Sequence, residues 1–153
     1  MVKSMGIIVI VMGIIAFIIG GVFLAQGFMK NSLIVDRMNI EQVSIALDPN
    51  NPNVYTKIDD AEDAQRAADT IASHRRAIAP TYQDLLEGGR FEPANPEHLT
   101  YSQAMNLENY LYMAVMAFGL VQVVLAAGGF MIITGLALFF IGLAFIRLGH
   151  THG

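Results

Sequence analysis

The chain has no cysteine. Disulfides, thiolate metal sites and cysteine nucleophiles are therefore excluded. Charge is scarce too: Asp, Glu, Lys and Arg make up 14% of the residues, and none falls within residues 7–29 or 109–146. Those runs also lack histidine, which argues against a proton relay, a voltage sensor or histidine-ligated haem inside a bilayer. No Gly-x-Ser-x-Gly elbow, phosphate loop, dinucleotide fingerprint or His-Glu-x-x-His helix occurs. Basic residues interleaved with aromatics are missing and the net charge is −4, so nucleic acid is not expected as a partner.

Apolar sequence is what the chain has in excess. With 54% apolar residues and a mean hydropathy of +0.50, it is too hydrophobic for an ordinary soluble domain. The uncharged run 7–29 exceeds the roughly 20 residues that cross about 30 Å of hydrocarbon at about 1.5 Å per residue. Lys3 and Ala25 suggest a cleavable signal, but Phe23 fits poorly three places before such a cut and the run is long for a signal core. Residues 1–29 are therefore expected to form an uncleaved transmembrane helix.

The second run is nearly twice the spanning length. A turn near residues 127–130 has no polar residue to serve it, and a buried turn leaves backbone groups unsatisfied in lipid. One long helix over 100–148 is expected, opening at Thr100 and Gln103 in capping-box spacing and crossing the membrane at about 123–146, with a short tail at 149–153. Tyr110 and Tyr112 fall where interfacial tyrosines are favoured. All thirteen carboxylates lie between Asp36 and Glu108, whereas the ends carry Lys3 and Arg147 and no acid. Basic residues beside spans mark the inside. Both termini are thus expected in the cytoplasm of a multi-pass protein of the inner or plasma membrane, with 30–108 outside.

The intervening segment, 30–99, reads as a small α+β insert. Val43, Ile45 and Leu47 alternate with small or polar neighbours, DPNNPN is turn-rich, and VYTKI is β-prone, which predicts a hairpin over about 42–58. A helix over about 59–79 follows, with Asp59 and Glu62 at its start and Pro80 at its end. Its apolar stripe is mostly alanine, and Arg66, Arg75 and Arg76 are expected to point away from it. A short helix at TYQDLLE and a Gly/Pro-rich loop complete the insert.

Glycine carries the most regular pattern. Gly6, Gly13, Gly20 and Gly27 recur every seven residues in the first run, and Gly128, Gly135, Gly142 and Gly149 do so in the last. Small residues at that interval keep to one face of a helix and let backbones approach where lipid supplies no hydrophobic drive. The spans run in opposite directions, so the two stripes are expected to pair. Ala16 with Gly20 and Gly21 with Ala25 offer a second contact face.

Few residues suggest chemistry. His74 sits beside Arg75 and Arg76, which disfavours a cation. His98 with Glu97 offers two ligands where zinc takes three or four. His150 and His152 lie in the tail. Asp59, Asp60, Glu62 and Asp63 lack the glycine and terminal glutamate of an EF-hand and suit the positive end of a helix dipole. No catalytic, cofactor or metal residue is assigned.

Three stretches, NSLIVDRMNI, IASHRRAIAPTYQDL and QAMNLENYLYMAVMAFGLVQVVLAAGGFMI, resemble small two-span, actinobacterial-type membrane proteins of unestablished function that are labelled as aromatic ring-opening dioxygenases. The resemblance implies two spans and an extracytoplasmic insert. The label implies an iron site such as two histidines and a carboxylate, and the insert has only His74 and His98. The sequence thus leads to a mainly α membrane protein that is not an enzyme and acts by assembly, as a homo-oligomer or an accessory subunit. The alternative is a membrane-anchored module that captures a small ligand or metal outside the cell.

Overall fold

A computed structural model describes residues 2–41, 44–48 and 51–151. The chain is mainly helical and divides into two compact units, residues 1–31 with 120–153, and residues 32–119. Two helices, α1 (Val2–Ile40) and α4 (Pro96–Thr151), contribute to both units. Each is long and apolar enough to cross a bilayer, and only 11% of its most apolar window is buried. A core helix of a soluble protein would be mostly buried, so this exposure suits a lipid environment.

In the first unit α1 and α4 run antiparallel and approach along glycine. A Cβ built on Gly6 would stand 2.8 Å from the carbonyl oxygen of Gly142, one on Gly13 would stand 2.7 Å from that of Gly135, and one on Gly20 would stand 2.8 Å from that of Gly128. The reciprocal distances at Gly128, Gly135 and Gly142 are 3.0 Å or less. No side chain fits such a gap, because the obstructing atoms are backbone. The outer members differ: Gly27 faces the Leu125 side chain, and Gly149 faces the stem of Lys3. Gly21 and Gly129 have nothing within 4 Å.

In the second unit α1 continues beyond the uncharged run to Ile40, further than the expected end at residue 29. The cause is packing: Ile34, Val35 and Met38 share a helix face and lie against the insert core. That core holds Ile58, three alanines of α2 (Ala61–Ile78), namely Ala64, Ala67 and Ala68, and Leu111, Ala114 and Phe118 of α4. Between α1 and α2 the backbones of β1 (Ser44–Asp48) and β2 (Asn51–Lys57) pair antiparallel, Ile45 opposite Thr56 and Ala46 opposite Tyr55. Of the turn expected over DPNNPN, 48–53, residues 49–50 lie outside the described residues, and the backbone from Asn51 onward belongs to β2 instead. The short α3 (Tyr82–Leu86) opens with a complete Thr81–Asp84 capping box and ends where Glu87 and Gly88 take left-handed φ of 46° and 79°.

Two helix starts differ from the expected ones. The α2 N-cap is Asp60, whose side chain accepts from the Asp63 N–H, one residue beyond the Asp59–Glu62 pair. The long helix starts at Pro96 rather than Thr100: proline suits the first turn, and the Asn95 side chain accepts from the Glu97 N–H. Thr100 lies inside the helix, where its hydroxyl donates to the Pro96 carbonyl. At the other end α4 runs through Gly149 and His150 to Thr151, into the stretch expected as a tail.

Replacing Gly13 or Gly135 with alanine is expected to destabilise the helix pair by about 1–3 kcal/mol, the usual cost of overpacking. Gly21→Ala and Ile15→Leu are expected to leave it unchanged. Denaturant titration of the detergent-solubilised chain, followed by energy transfer between labels on introduced cysteines, measures this; equal losses at Gly13 and Gly21 would refute it.

Candidate functional site

A buried polar grouping in the second unit forms where α2 meets the first turns of α4. Arg75 comes from α2; Tyr101 and Glu108, seven residues apart and so on one helix face, come from α4. The alanines of α2 make this possible, because their small side chains bring its backbone close to α4. Arg75 Nε donates to Glu108 Oε2 at 2.7 Å, Nη2 to Oε1 at 3.4 Å, and Nη1 to the Tyr101 hydroxyl. The guanidinium also lies 5.0 Å from the centre of the Tyr101 ring, a cation–π distance. The Tyr82 ring stands 6.3 Å from that of Tyr101.

Both members of the ion pair are well buried, with 12% and 11% of their side chains exposed. Hydrogen bonding to Glu108 pushes the Arg75 pKa further above its already high value, against the opposing effect of burial. Three guanidinium nitrogens and both carboxylate oxygens are occupied, and the arrangement acts as a clamp between α2 and α4. Arg75 thus turns into the interface and not away from it, correcting the expectation from the alanine stripe. A related tie lies one and a half turns earlier on α2, where the Tyr112 hydroxyl donates to Asp69 at 2.9 Å. That bond raises the Tyr112 pKa above its usual value of 10.0, with burial and the charges of Asp69 and Glu108 adding to the shift.

His98 is buried and uses both ring nitrogens. The Glu92 N–H donates to Nδ1 at 2.9 Å, so the proton sits on Nε2, which donates to the Leu85 carbonyl at 3.1 Å. Phe91 stacks on the ring at 5.5 Å. His98 therefore fastens the loop between α3 and α4 and has no lone pair free for a metal. It forms part of the wall of an open polar cleft of about 270 Å³, together with Glu87, Arg90, Glu92, Asn95 and Glu97. His74 is exposed on α2 and His150 on the last turn of α4; His152 lies outside the described residues.

Among the described residues, one grouping of three carboxylate or histidine side chains is compact enough to suggest a metal: Asp59, Asp60 and Asp63, with oxygens within 4.8 Å of one another. It contains no histidine. Asp63 is already paired with Arg66, and Asp60 caps α2. Asp59 has its pKa raised, first because its protonated carboxyl donates a hydrogen bond to the Asp63 carboxylate and then by burial and the neighbouring negative charges. The two-histidine, one-carboxylate set that a ring-opening iron site implies is not assembled by these residues.

Two outcomes follow. Glu108→Ala is expected to destabilise the insert by about 3–5 kcal/mol, because it strands a buried guanidinium, whereas the double replacement Arg75→Met, Glu108→Leu is expected to restore most of that loss; thermal unfolding measures both. For Tyr112 the raised folded-state pKa means that its bond to Asp69 stabilises the fold below the unfolded value near pH 10 and that this contribution disappears as pH rises through the higher folded value. Ultraviolet titration is expected to show late ionisation of Tyr112, which Asp69→Asn returns towards the ordinary range.

No protein-family model, curated protein sequence or solved structure matches this chain.

Proposed function

We propose that the chain is a non-enzymatic integral membrane protein acting by assembly, either with itself or as an accessory subunit of a larger membrane complex. In this reading, α1 and α4 form a transmembrane hairpin whose glycine seam is its internal packing device. The α+β insert faces the extracytoplasmic side of the inner or plasma membrane, and both termini are cytoplasmic. Lys3 and Arg147 beside the spans support that sidedness, with Lys30 and Arg37 on the other side of the first span counting against it. The resemblance to small two-span proteins fits the same arrangement.

The observation that carries the assembly reading is the position of the glycines that have no neighbour. Gly21 and Gly129 each follow a seam glycine by one residue. In an antiparallel pair, one step of about 100° from facing positions turns both towards the same side. Ile14 and Leu136 stand one residue after Gly13 and Gly135 and turn the same way. With Phe17 and Phe139 they line an apolar groove of about 230 Å³. One side of the hairpin thus combines bare backbone with a groove, a surface on which another apolar helix gains dispersion contacts that lipid tails make less closely.

If this side is the contact, Gly21→Leu combined with Gly129→Leu is expected to reduce the mass of the detergent-solubilised protein to that of the 16.7 kDa monomer while helicity is retained. Ile15→Leu, on the other side of α1, is expected to change nothing. Light scattering during size-exclusion chromatography reads both, and a wild-type protein that runs as a lone monomer with no co-purifying partner from native membranes would count against the proposal.

A further inference from the structure

The first unit contains the permanent cations Lys3, Lys30 and Arg147 and no Asp or Glu. Lys30 makes no ion pair among the described residues. It lines a groove of about 210 Å³ with Gln26, Gly27, Leu120, Val121 and Val124. Gln26 and Lys30 flank Gly27 at one residue before and three after, which places this groove on the side of the helix pair opposite Gly21 and Gly129. Its lining is apolar, so Gln26 and Lys30 give it their methylene stems and keep the amide and ammonium for other partners.

Depth along the helices adds a second constraint. Lys30 is the first charge after the uncharged run 7–29, so it sits where hydrocarbon gives way to headgroups; Gln26 lies one turn deeper. A hydrocarbon-lined groove that ends in an unpaired cation, with an amide donor one turn below, suits an amphiphile with an anionic head and an apolar tail. We propose that this groove binds an anionic phospholipid of the surrounding leaflet. An acyl chain lies along Gly27, Val121 and Val124, the phosphate pairs with the Lys30 ammonium, and the Gln26 amide donates to the ester region. The proposal requires that the helices lie in a bilayer, but not that the protein self-associates.

The test uses the full chain in mixed micelles containing equal amounts of phosphatidylglycerol and phosphatidylcholine, with retained lipid counted by native mass spectrometry. The wild type is expected to retain phosphatidylglycerol preferentially. Lys30→Gln is expected to reduce that preference about fivefold, the worth of one cation near an anionic surface, while Lys3→Gln leaves it intact. Val124→Phe, which fills the groove, is expected to lower retention of both lipids. Equal retention of the two lipids by the wild type, an unchanged preference in Lys30→Gln, an equal loss in Lys3→Gln, or undiminished retention in Val124→Phe would each overturn the site. Circular dichroism of Lys30→Gln checks that the helices persist. The same spectra report how many chains travel together, so a lipid-bearing monomer would support the lipid site and count against assembly.

Discussion

Contact between two backbones is the constraint on which the structure depends. Both long helices are apolar enough to cross a bilayer, where lipid tails as apolar as leucine would leave them little to gain merely by hiding side chains. What they gain comes from close approach: glycine Cα hydrogens set against carbonyl oxygens, and dispersion between main chains. The seam at Gly6–Gly142, Gly13–Gly135 and Gly20–Gly128 is closer than any residue with a Cβ permits. The same two helices then supply Ile34, Val35 and Met38, and Leu111, Ala114 and Phe118, to the core of the insert.

The insert relies on different physics. Its helix α2 offers mainly alanine to the core, so it buries little apolar area per residue. Polar ties between elements supplement that burial: Arg75 with Glu108 and Tyr101, Tyr112 with Asp69, and His98 with two backbone groups. Each joins α4 or its preceding loop to another part of the unit. Where the groups are shielded, as at Arg75–Glu108 and His98, removing one partner costs more than the pair contributes.

The long helices were legible because nothing interrupts them: an uncharged run of such length has few other places to go. Their ends were less so. Residues 30–40 carry polar residues that read as the end of a span, and the helical spacing of Ile34, Val35 and Met38 gains meaning only against the core they meet. Thr100 and Gln103 imitate a helix start, while the effective signal, Asn95 followed by Pro96, was available but looked like one more loop element. The Arg75–Glu108 pair joins residues 33 apart in sequence, and no local pattern announces such a pair. One hint existed: Glu108 is the last acid before the uncharged run 109–146, a position that calls for a partner. The two bonds of His98 were invisible because both partners are main-chain atoms.

A ladder with equal rungs can be climbed from more than one step. Both glycine series repeat every seven residues, so sliding α4 along α1 by one interval, about 10.5 Å, again sets glycine against glycine. That displaced alignment would match Gly6 with Gly149, Gly13 with Gly142, Gly20 with Gly135 and Gly27 with Gly128, four rungs where the structure uses three. The glycines therefore specify which faces meet and how closely, but leave the axial setting degenerate. At the ends of the ladder the observed setting uses side chains instead, with Leu125 over Gly27 and the stem of Lys3 against Gly149. Those two contacts belong to the observed setting and are lost when the helices slide by one interval.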